Sequence, residues 1–311
     1  MRVAVYGSGA VGGYFGARLA AAGHDVTFIA RGDHLEAIRQ HGLRVTSING
    51  DLCCRVTATD DPSSIGEVDL VLVGVKAWQV PDVAVLARPL VGSTTSVLPL
   101  QNGVETAEEL CEVLGHGPVL GGLCRIMSVV DRPGRIVHTA AEPAVIFGEL
   151  DGSVSDRGRV IREAFTRAGV AAELSTDINT DLWRKFLLVE PWGAVGSASR
   201  VPIGSLRTVP ESRRVLEQAL SEVLELARVS QADLGHDDAT TVMARLDSLP
   251  KDSLPSMQRD IIAGRPSELE AQVGAVVRRA EPLGVATPVH AAVYGCLLPM
   301  ERAAREANER R

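Results

Sequence analysis

The sequence predicts an α/β fold in which a doubly wound parallel sheet is followed by an all-α C-terminal domain. Three observations predict it. Short β-branched runs alternate with helical patterns in the first half, a glycine-rich turn follows the first of those runs, and long amphipathic helical patterns replace strand-like runs after about residue 180. The length of 311 residues agrees with two domains of the usual size, ~150 residues each.

Five runs in the first half have the composition of buried strands, and helical stretches such as 11–22 and 104–114 lie between several of them. Such alternation is typical of a parallel sheet covered by helices. Two later runs, 134–139 and 144–148, are joined through Ala141-Glu142-Pro143 and predict an antiparallel addition at the edge of that sheet. The five strand-like runs are 2–6, 25–30, 69–75, 95–100 and 119–123.

The second half is predicted to be all-helical. Residues 211–234 form one amphipathic pattern, and another gives one buried face of a helix that ends at Gly284. We place the domain boundary near residue 175, so that residues 1–175 form the sheet domain and residues 176–311 the helical domain. The tail 301–311 is predicted to be a fraying, solvated helix. The apolar residues of the face before Gly284 are Leu269, Val273, Val276, Val277, Ala280 and Leu283.

Composition and charge exclude several classes of protein. Hydrophobic residues make up 45% and charged residues 23% of the chain, which predicts a soluble globular protein. The net charge of −7 offers no long-range attraction for nucleic acid. The five cysteines form no CxxC motif, so no metal site is predicted and a reducing cytoplasm is favoured. No apolar stretch other than the one at the N-terminus, which the next motif explains, approaches the ~18 residues that a membrane span needs.

A G-x-G-x-x-G motif follows the first strand and opens the first helix. Gly7 permits a tight turn, Gly9 lets the backbone approach a pyrophosphate, and Gly12 allows close packing of helix and strand. The helix N-terminus then favours the ligand's negative charge. This position in a strand–turn–helix unit predicts dinucleotide binding in a Rossmann-type domain rather than a purely structural turn. The six residues of the turn are Gly7, Ser8, Gly9, Ala10, Val11 and Gly12.

The residue after the second strand decides which dinucleotide is favoured. An acidic residue there would bind the ribose hydroxyls of NAD, whereas this chain has Arg31. A guanidinium binds a 2′-phosphate through charge-assisted hydrogen bonds, so Arg31 favours NADP. In the alternative interpretation, Arg31 is a solvated loop arginine and Asp33 binds the ribose.

Polar residues also stand at the ends of the next two strands. Lys76 follows the run 69–75, and Asn102 follows the run 95–100. Ligands of open α/β sheets bind at this edge, so we expect both residues to contact cofactor or substrate rather than merely to cap loops.

Two charged residues of the second half have either a structural or a functional role when each is considered by itself. Lys185 lies in an otherwise apolar helical segment, where a lysine must snorkel or find a partner. Glu268 lies near the start of a helix that is predicted to begin at Pro266, and acidic residues are common in a first helical turn.

Taken together, these motifs resemble the ketopantoate (2-dehydropantoate) 2-reductase family over nearly the whole chain. The family implies a two-domain enzyme that reduces the ketone of a 2-oxo acid with NADPH. The resemblance rests on Gly7 to Gly12 continuing as Gly13-Tyr14-Phe15-Gly16, and on Ala30-Arg31-Gly32, Val75-Lys76-Ala77-Trp78-Gln79, Gln101-Asn102-Gly103, Trp183-Arg184-Lys185-Phe186, Ser256-Met257, Asp260 and Ser267-Glu268.

The resemblance also implies roles for single residues. Lys185 corresponds to the catalytic lysine and Glu268 to its partner, while Asn102 and Ser256 correspond to substrate contacts. The chemistry is consistent, because an ammonium can stabilise and protonate the alkoxide that hydride transfer creates at a ketone. The implied cofactor contacts outside the glycine-rich turn are Arg31, Lys76, Gln79 and Asn102.

One region departs from the family pattern. The family usually carries asparagines four and eight residues after the catalytic lysine, and here those positions are Val189 and Gly193. Pro191 is predicted to break the helix, because it lacks an N–H and its ring clashes with the preceding turn. The loss of two amides predicts a different substrate pocket, which Trp192 would make more apolar or bulkier, and Glu190 is a candidate to replace one lost contact.

The sequence therefore predicts NADPH-dependent reduction of a 2-oxo acid, by resemblance of 2-dehydropantoate to pantoate in pantothenate biosynthesis. One alternative is a relative that reduces a different ketone or imine. Another is a non-catalytic NADP-binding protein. The predicted partner is a small-molecule 2-oxo acid or a related carbonyl compound, and no binding to nucleic acid or membranes is predicted. The predicted location is the cytoplasm, and a homodimer is the assembly to test.

Overall fold

The computed structural model describes residues 1–309, which divide into two compact units. The first unit comprises Met1–Gln101 and Thr106–Ile178, and the second comprises Asn102–Glu105 together with the chain from Asn179 onward. Each unit contains its own clusters of buried apolar side chains. The short segment 102–105 therefore belongs to the second unit, although it follows a strand of the first.

The first unit contains two five-stranded sheets. Its helices are α1 (Ala10–Ala21), α2 (Gly32–His41), α3 (Val80–Leu86), α4 (Thr106–Leu114) and α5 (Asp156–Arg167). Its strands are β1 (Arg2–Tyr6), β2 (Asp25–Ile29), β3 (Leu43–Ser47), β4 (Leu52–Cys54), β5 (Thr57–Thr59), β6 (Leu70–Val73), β7 (Ser96–Pro99), β8 (Gly121–Arg132), β9 (Arg135–Gly148) and β10 (Ala171–Leu174).

The first sheet is parallel throughout, with the strand order β5-β2-β1-β6-β7. Its central strand β1 is apolar on both faces. Val3 and Val5 join one buried cluster, and Ala4 and Tyr6 join another. Strands that are buried on both faces read as continuous apolar runs, because helices cover the sheet on either side. The predicted α/β fold class with its doubly wound parallel sheet is confirmed.

The predicted antiparallel addition at the edge of this sheet is wrong. The runs 134–139 and 144–148 are parts of one strand, β9, which forms a long hairpin with β8 in a separate sheet of order β10-β9-β3-β4. Residues 141–143 lie in a register irregularity, because Arg125 opposes Ala144 whereas Met127 opposes Ala140. A bulge accommodates a proline that cannot donate to the ladder, so the strand continues through the turn-like residues.

The second unit is helical, as the sequence predicts. The pattern 211–234 corresponds to the shorter helix α8, and the helix before Gly284 ends with that glycine in the left-handed conformation, at a φ of 67°. Its first turns form a π-helix, Glu270–Gly274. The α-helices are α6 (Ile178–Ser199), α7 (Ile203–Thr208), α8 (Pro210–Val229), α9 (His236–Ser248), α10 (Ser256–Ile262), α11 (Ala275–Leu283) and α12 (Pro288–Glu309).

Pro191 does not break helix α6, contrary to the prediction. The helix continues from Ile178 to Ser199 with the proline inside it. A proline removes one helical hydrogen bond, and packing can offset that loss. Phe186 and Leu187 before the proline and Ala194 and Val195 after it are all buried. Tertiary burial on both sides therefore overrides the local preference.

The tail is only partly the solvated helix that the sequence predicts. Residues 301–309 complete α12, but Glu301 is buried. Arg310 and Arg311, the last two residues of the predicted tail, lie outside the described residues. Among residues 1–309, no helix combines the length and the apolar character that crossing a bilayer requires.

Candidate active site

The glycine-rich turn has the geometry of a phosphate-binding loop. Gly7 has a φ of 95°, and a Cβ there would lie 2.6 Å from the Val75 side chain. A Cβ on Gly12 would lie 2.2 Å from the carbonyl oxygen of Gly7, whereas a Cβ on Gly9 would have no atom within 4 Å. Gly7 and Gly12 thus allow tight packing, and the space in front of Gly9 is open to a ligand.

Helix α1 begins directly after this turn, at Ala10. Its N-cap is Gly9, and no side chain within the described part of the chain caps it. The first N–H groups of the helix therefore point toward the open space and carry the positive end of the helix dipole. The turn fits a dinucleotide pyrophosphate on its geometry alone.

The predicted cofactor residues outside the turn lie near the carboxyl edge of the parallel sheet. Arg31 is exposed at the start of α2, beside the hydroxyl of Tyr6; burial raises the pKa of that hydroxyl, and the guanidinium opposes the rise. Arg31 and Gln79 line one concavity, together with Asp82. The backbone N–H of Lys76 donates to Gln79 Oε1 at 3.2 Å. The structure therefore brings Arg31, Lys76 and Gln79 together within the first unit.

Asn102 belongs to the second unit, where it contacts the predicted catalytic glutamate. Its Nδ2 donates to Glu268 Oε2 at 3.1 Å. Gln272 Nε2 donates to the same oxygen at 3.3 Å. Glu268 is 6% exposed and Gln272 is 2% exposed. A buried carboxylate that accepts two amide donors is held in one orientation. The helical pattern before Gly284 predicts that Gln272 lies opposite the buried face, and this prediction is wrong, because the structure buries Gln272.

Glu301 holds the turn that carries Glu268. Its carboxylate accepts the Ser267 N–H at 3.0–3.1 Å and the Ser267 Oγ–H at 2.6 Å, and Arg305 forms an ion pair with it at 2.8 Å. Glu301 is 3% exposed, because it continues the buried face of α12 after Val293 and Leu297. That spacing of four residues is the signal that could have revealed a buried acid in the tail.

The segment before α4 is attached to the same unit on the other side of Asn102. Glu105 forms an ion pair with Arg278 at 2.8 Å. Gly103 has a φ of 129°, and a Cβ there would lie 3.1 Å from the carbonyl oxygen of Ala271 in the π-helix. The close approach of the two backbones therefore favours glycine at this position, and both contacts fix the Asn102 amide.

Lys185 is half-buried and shares one face of α6 with Val189 and Gly193, because residues four apart are neighbours along a helix face. A Cβ on Gly193 would lie 2.9 Å from Met257 Cε and 3.4 Å from Gln272 Oε1. This face therefore borders the residue that follows Ser256 and the amide that binds Glu268. Lys185 lies about two turns before Gly193 on the same face.

Glu190 is not available as a substrate contact, contrary to the prediction. It lies about 140° around α6 from Lys185, at 100° per residue. It is fully buried, and its Oε2 lies 2.7 Å from His290 Nε2. The other ring nitrogen, Nδ1, lies 2.6 Å from Glu222 Oε2. Glu190 therefore belongs to a buried triad with His290 and Glu222, which sequence reasoning missed because its members are far apart in the chain.

The histidine of this triad is charged at neutral pH. Burial alone would lower the pKa of His290, but the carboxylates of Glu190 and Glu222 outweigh it and raise that pKa to about 9. Burial likewise opposes ionisation of Glu222, yet the hydrogen bonds from His290 and from the Val289 N–H keep its pKa below the usual range. Both ring nitrogens of the cationic histidine can donate, one to each carboxylate.

A phosphate-binding turn on a parallel sheet, in one chain with a helical unit that presents a lysine and a buried glutamate, places the protein among the two-domain oxidoreductases. The chain belongs to the ketopantoate reductase family. The family model described as ketopantoate reductase PanE/ApbA matches residues 3–152, and the model described as its C terminal matches residues 177–301.

Relatives match along nearly the full length. The chain is 31% identical to a 2-dehydropantoate 2-reductase of Nostoc sp. (strain PCC 7120), over 92% of this chain and 91% of that one. It is 29% identical to YkpB of Bacillus subtilis (strain 168), an uncharacterised oxidoreductase, over 96% of this chain and 98% of that one. The crystal structure of a PanE/ApbA family ketopantoate reductase from Ralstonia eutropha JMP134 matches with a TM-score of 0.90 and 30% sequence identity. The match covers 98% of this chain and 100% of that one.

The buried triad predicts a specific pH dependence of stability. The pKa of His290 is about 9 in the folded protein and 6.5 in the reference state. The contribution of the charged His290 to the free energy of unfolding is therefore complete below about pH 6.5 and is lost as the pH rises through 9. The loss is on the order of 3 kcal/mol. Urea unfolding of the parent and of His290→Gln, from about pH 6 to about pH 10, measures it.

The difference in free energy of unfolding between parent and His290→Gln should shrink across that range. A difference that stays constant with pH would show that His290 is neutral in the folded protein.

Proposed function

We propose that the protein reduces the ketone of a 2-oxo acid to a 2-hydroxy acid with NADPH, and that 2-dehydropantoate is the first substrate to test. The observation that carries this proposal is the buried Glu268 carboxylate, bonded by Asn102, in the unit that also contains Lys185. The Nostoc relative is named a 2-dehydropantoate 2-reductase.

The protein's own groups have complementary roles in this reaction. Bound NADPH supplies the hydride that adds to the carbonyl carbon. The Lys185 ammonium donates a hydrogen bond to the carbonyl oxygen and transfers its proton as that oxygen gains charge, and solvent reprotonates the amine. Glu268 keeps Lys185 charged and accepts a hydrogen bond from the substrate. Ser256 and Asn102 contact the substrate, and Asn102 also contacts the cofactor.

The cofactor assignment rests on the first unit. The glycine-rich turn would hold the pyrophosphate, and the exposed Arg31 guanidinium would bind the 2′-phosphate of NADPH. Lys76 and Gln79 lie near Arg31 at the same sheet edge and would complete the cofactor site. Within residues 1–309, which include all five cysteines, there is no disulfide, and this supports a cytoplasmic enzyme. A role in pantothenate biosynthesis and a homodimer stay predictions.

A second candidate is reduction of a ketone that carries a less polar side chain. The face of α6 that follows Lys185 presents Val189 and Gly193, which have no polar side-chain atoms, and the half-buried Trp192 lies beside them. A pocket wall without donors and acceptors contributes little to recognition of a substrate hydroxyl. This observation favours a 2-oxo acid whose side chain is apolar.

The cofactor proposal predicts that Arg31→Ala weakens binding of NADPH but not of NADH. Loss of hydrogen bonds to a charged phosphate should raise the NADPH Kd by about 10- to 100-fold. Fluorescence titration of both cofactors measures it, with Asp33→Ala as the matched control that should leave the NADPH Kd unchanged. If the parent binds NADH as tightly as NADPH, or if only Asp33→Ala weakens binding, the alternative interpretation is correct.

A matched pair of substrates tests the reaction and its specificity. Trimethylpyruvate lacks only the hydroxyl of 2-dehydropantoate. Glu268 can accept a hydrogen bond only from that hydroxyl, so its proposed role predicts a kcat/KM about 10⁴-fold or more higher for 2-dehydropantoate. Values within about tenfold of each other would favour the second candidate. Steady-state assays with a panel of 2-oxo acids, other ketones, aldehydes and imines measure this.

The outcomes separate the candidate functions. If only 2-dehydropantoate is turned over, the second candidate, a ketone with a less polar side chain, is rejected. Turnover of another ketone without turnover of 2-dehydropantoate selects the second candidate. NADPH binding without reduction of any compound on the panel supports a non-catalytic NADP-binding protein.

A further inference from the structure

Gln272 is a buried polar residue that the proposed reaction does not yet use. It is 2% exposed, and its Nε2 donates to Glu268 Oε2 at 3.3 Å. The Asn102 amide donates to the same oxygen at 3.1 Å. Two amides therefore converge on Oε2, and Glu268 Oε1 receives neither of them.

This convergence fixes the orientation of the carboxylate. The terminal torsion of a glutamate is broad and roughly two-fold, so the side chain alone does not choose which oxygen faces a given direction. Donors from two separate segments, 102–105 and the π-helix, remove that freedom. The carboxylate is held by Oε2, which leaves Oε1 for another donor.

The Gln272 amide lies one helical turn after the carboxylate that it binds, in a segment that contains a π-helical turn. Gly274 N–H donates to the carbonyl oxygen of Leu269, five residues earlier, at 2.9 Å. The backbone N–H of Gln272 donates to the carbonyl oxygen of Glu268 at 3.0 Å, so the two side chains start one turn apart. π-helical turns are rare and occur frequently at functional sites.

Gly193 supplies the space that the Gln272 amide occupies. A Cβ on Gly193 would already lie 3.4 Å from Gln272 Oε1 and 2.9 Å from Met257 Cε. A longer side chain at position 193 would extend into the volume of the amide or of the methionine. The amide at 272 and the missing side chain at 193 are therefore two parts of one arrangement.

We propose that Gln272 is a positioning residue: with Asn102 it holds the Glu268 carboxylate so that Oε1 is presented to the substrate, in space that Gly193 leaves open. This inference rests on the proposed function, since it assigns the orientation of a group in that reaction. Gln272 does not itself contact the reacting atoms. It acts through Glu268.

The first test replaces the amide with an apolar side chain of similar length, Gln272→Met. We expect the KM for the 2-oxo acid to rise about tenfold or more, because a hydrogen bond to a charged group is lost, while the NADPH Kd changes less than about twofold. Gln272→Asn keeps the amide but is one methylene shorter, so it should show the same increase. It also replaces Gln272→Met if that variant does not fold.

A relocated amide provides the rescue. In Gly193→Asn with Gln272→Ala, the new amide enters from α6 into the vacated volume and should recover at least part of the lost affinity. Gly193→Asn alone should impair the enzyme, because the Gln272 amide still occupies that volume. No recovery in the double variant, or a parent-like KM in Gln272→Met, overturns the proposal.

Crystal structures of the parent and of Gln272→Met provide a readout that does not depend on activity. We expect the Glu268 carboxylate to rotate or to occupy two orientations in the variant, with loss of the Asn102 bond to Oε2. An unchanged carboxylate overturns the positioning role even if the parent reduces 2-oxo acids. If the Glu268 carboxylate changes orientation in Gln272→Met but the parent reduces none of the 2-oxo acids, the positioning role is supported and the proposed function is rejected.

Discussion

The orientation of one buried carboxylate, Glu268, is the constraint on which the second unit depends. Burying a carboxyl group is unfavourable unless hydrogen bonds replace those it made with water. Here the amides of Asn102 and Gln272 both bond Oε2. Glu301, on a distant part of the chain, caps the preceding residue, so the turn that carries Glu268 is fixed as well. The candidate site is therefore preorganised by residues that need not touch a substrate.

The proposed reaction divides its requirements between the two units. The first unit has a glycine-rich turn whose tight and open positions suit a pyrophosphate, with Arg31 at the same edge of the sheet. The second unit contains Lys185 and Glu268, and it also includes the segment 102–105, which follows the last strand of the first sheet. Because the four residues 102–105 belong to the second unit, Asn102 lies beside Glu268. Strand and helix patterns alone would not predict this position of Asn102.

Local patterns predicted the fold class well because they reflect burial: β1 is apolar on both faces, and the helix before Gly284 ends in a left-handed glycine. They failed where distant contacts decide. Packing keeps α6 helical through Pro191. Glu190, expected near the substrate, instead bonds His290, a hundred residues away. Gln272 was assigned to the polar face of its helix and Glu301 to a solvated tail, because an amphipathic pattern assigns polar side chains to solvent, whereas tertiary contacts bury both. The motif residues were predicted, but the residues that orient them were not.

The most direct test of the proposed reaction is the rate of hydride transfer in a single turnover of NADPH with a 2-oxo acid, compared between the parent and Lys185→Ala. The proposed role of Lys185 predicts that the variant loses about 10²- to 10⁴-fold in this rate, because the ammonium that protonates the alkoxide is gone, while the NADPH Kd stays unchanged. Lys251→Ala, at an exposed lysine of the same unit, is the matched control and should react at the parent rate. A Lys185→Ala variant that reduces the 2-oxo acid at the parent rate would contradict the catalytic role of Lys185.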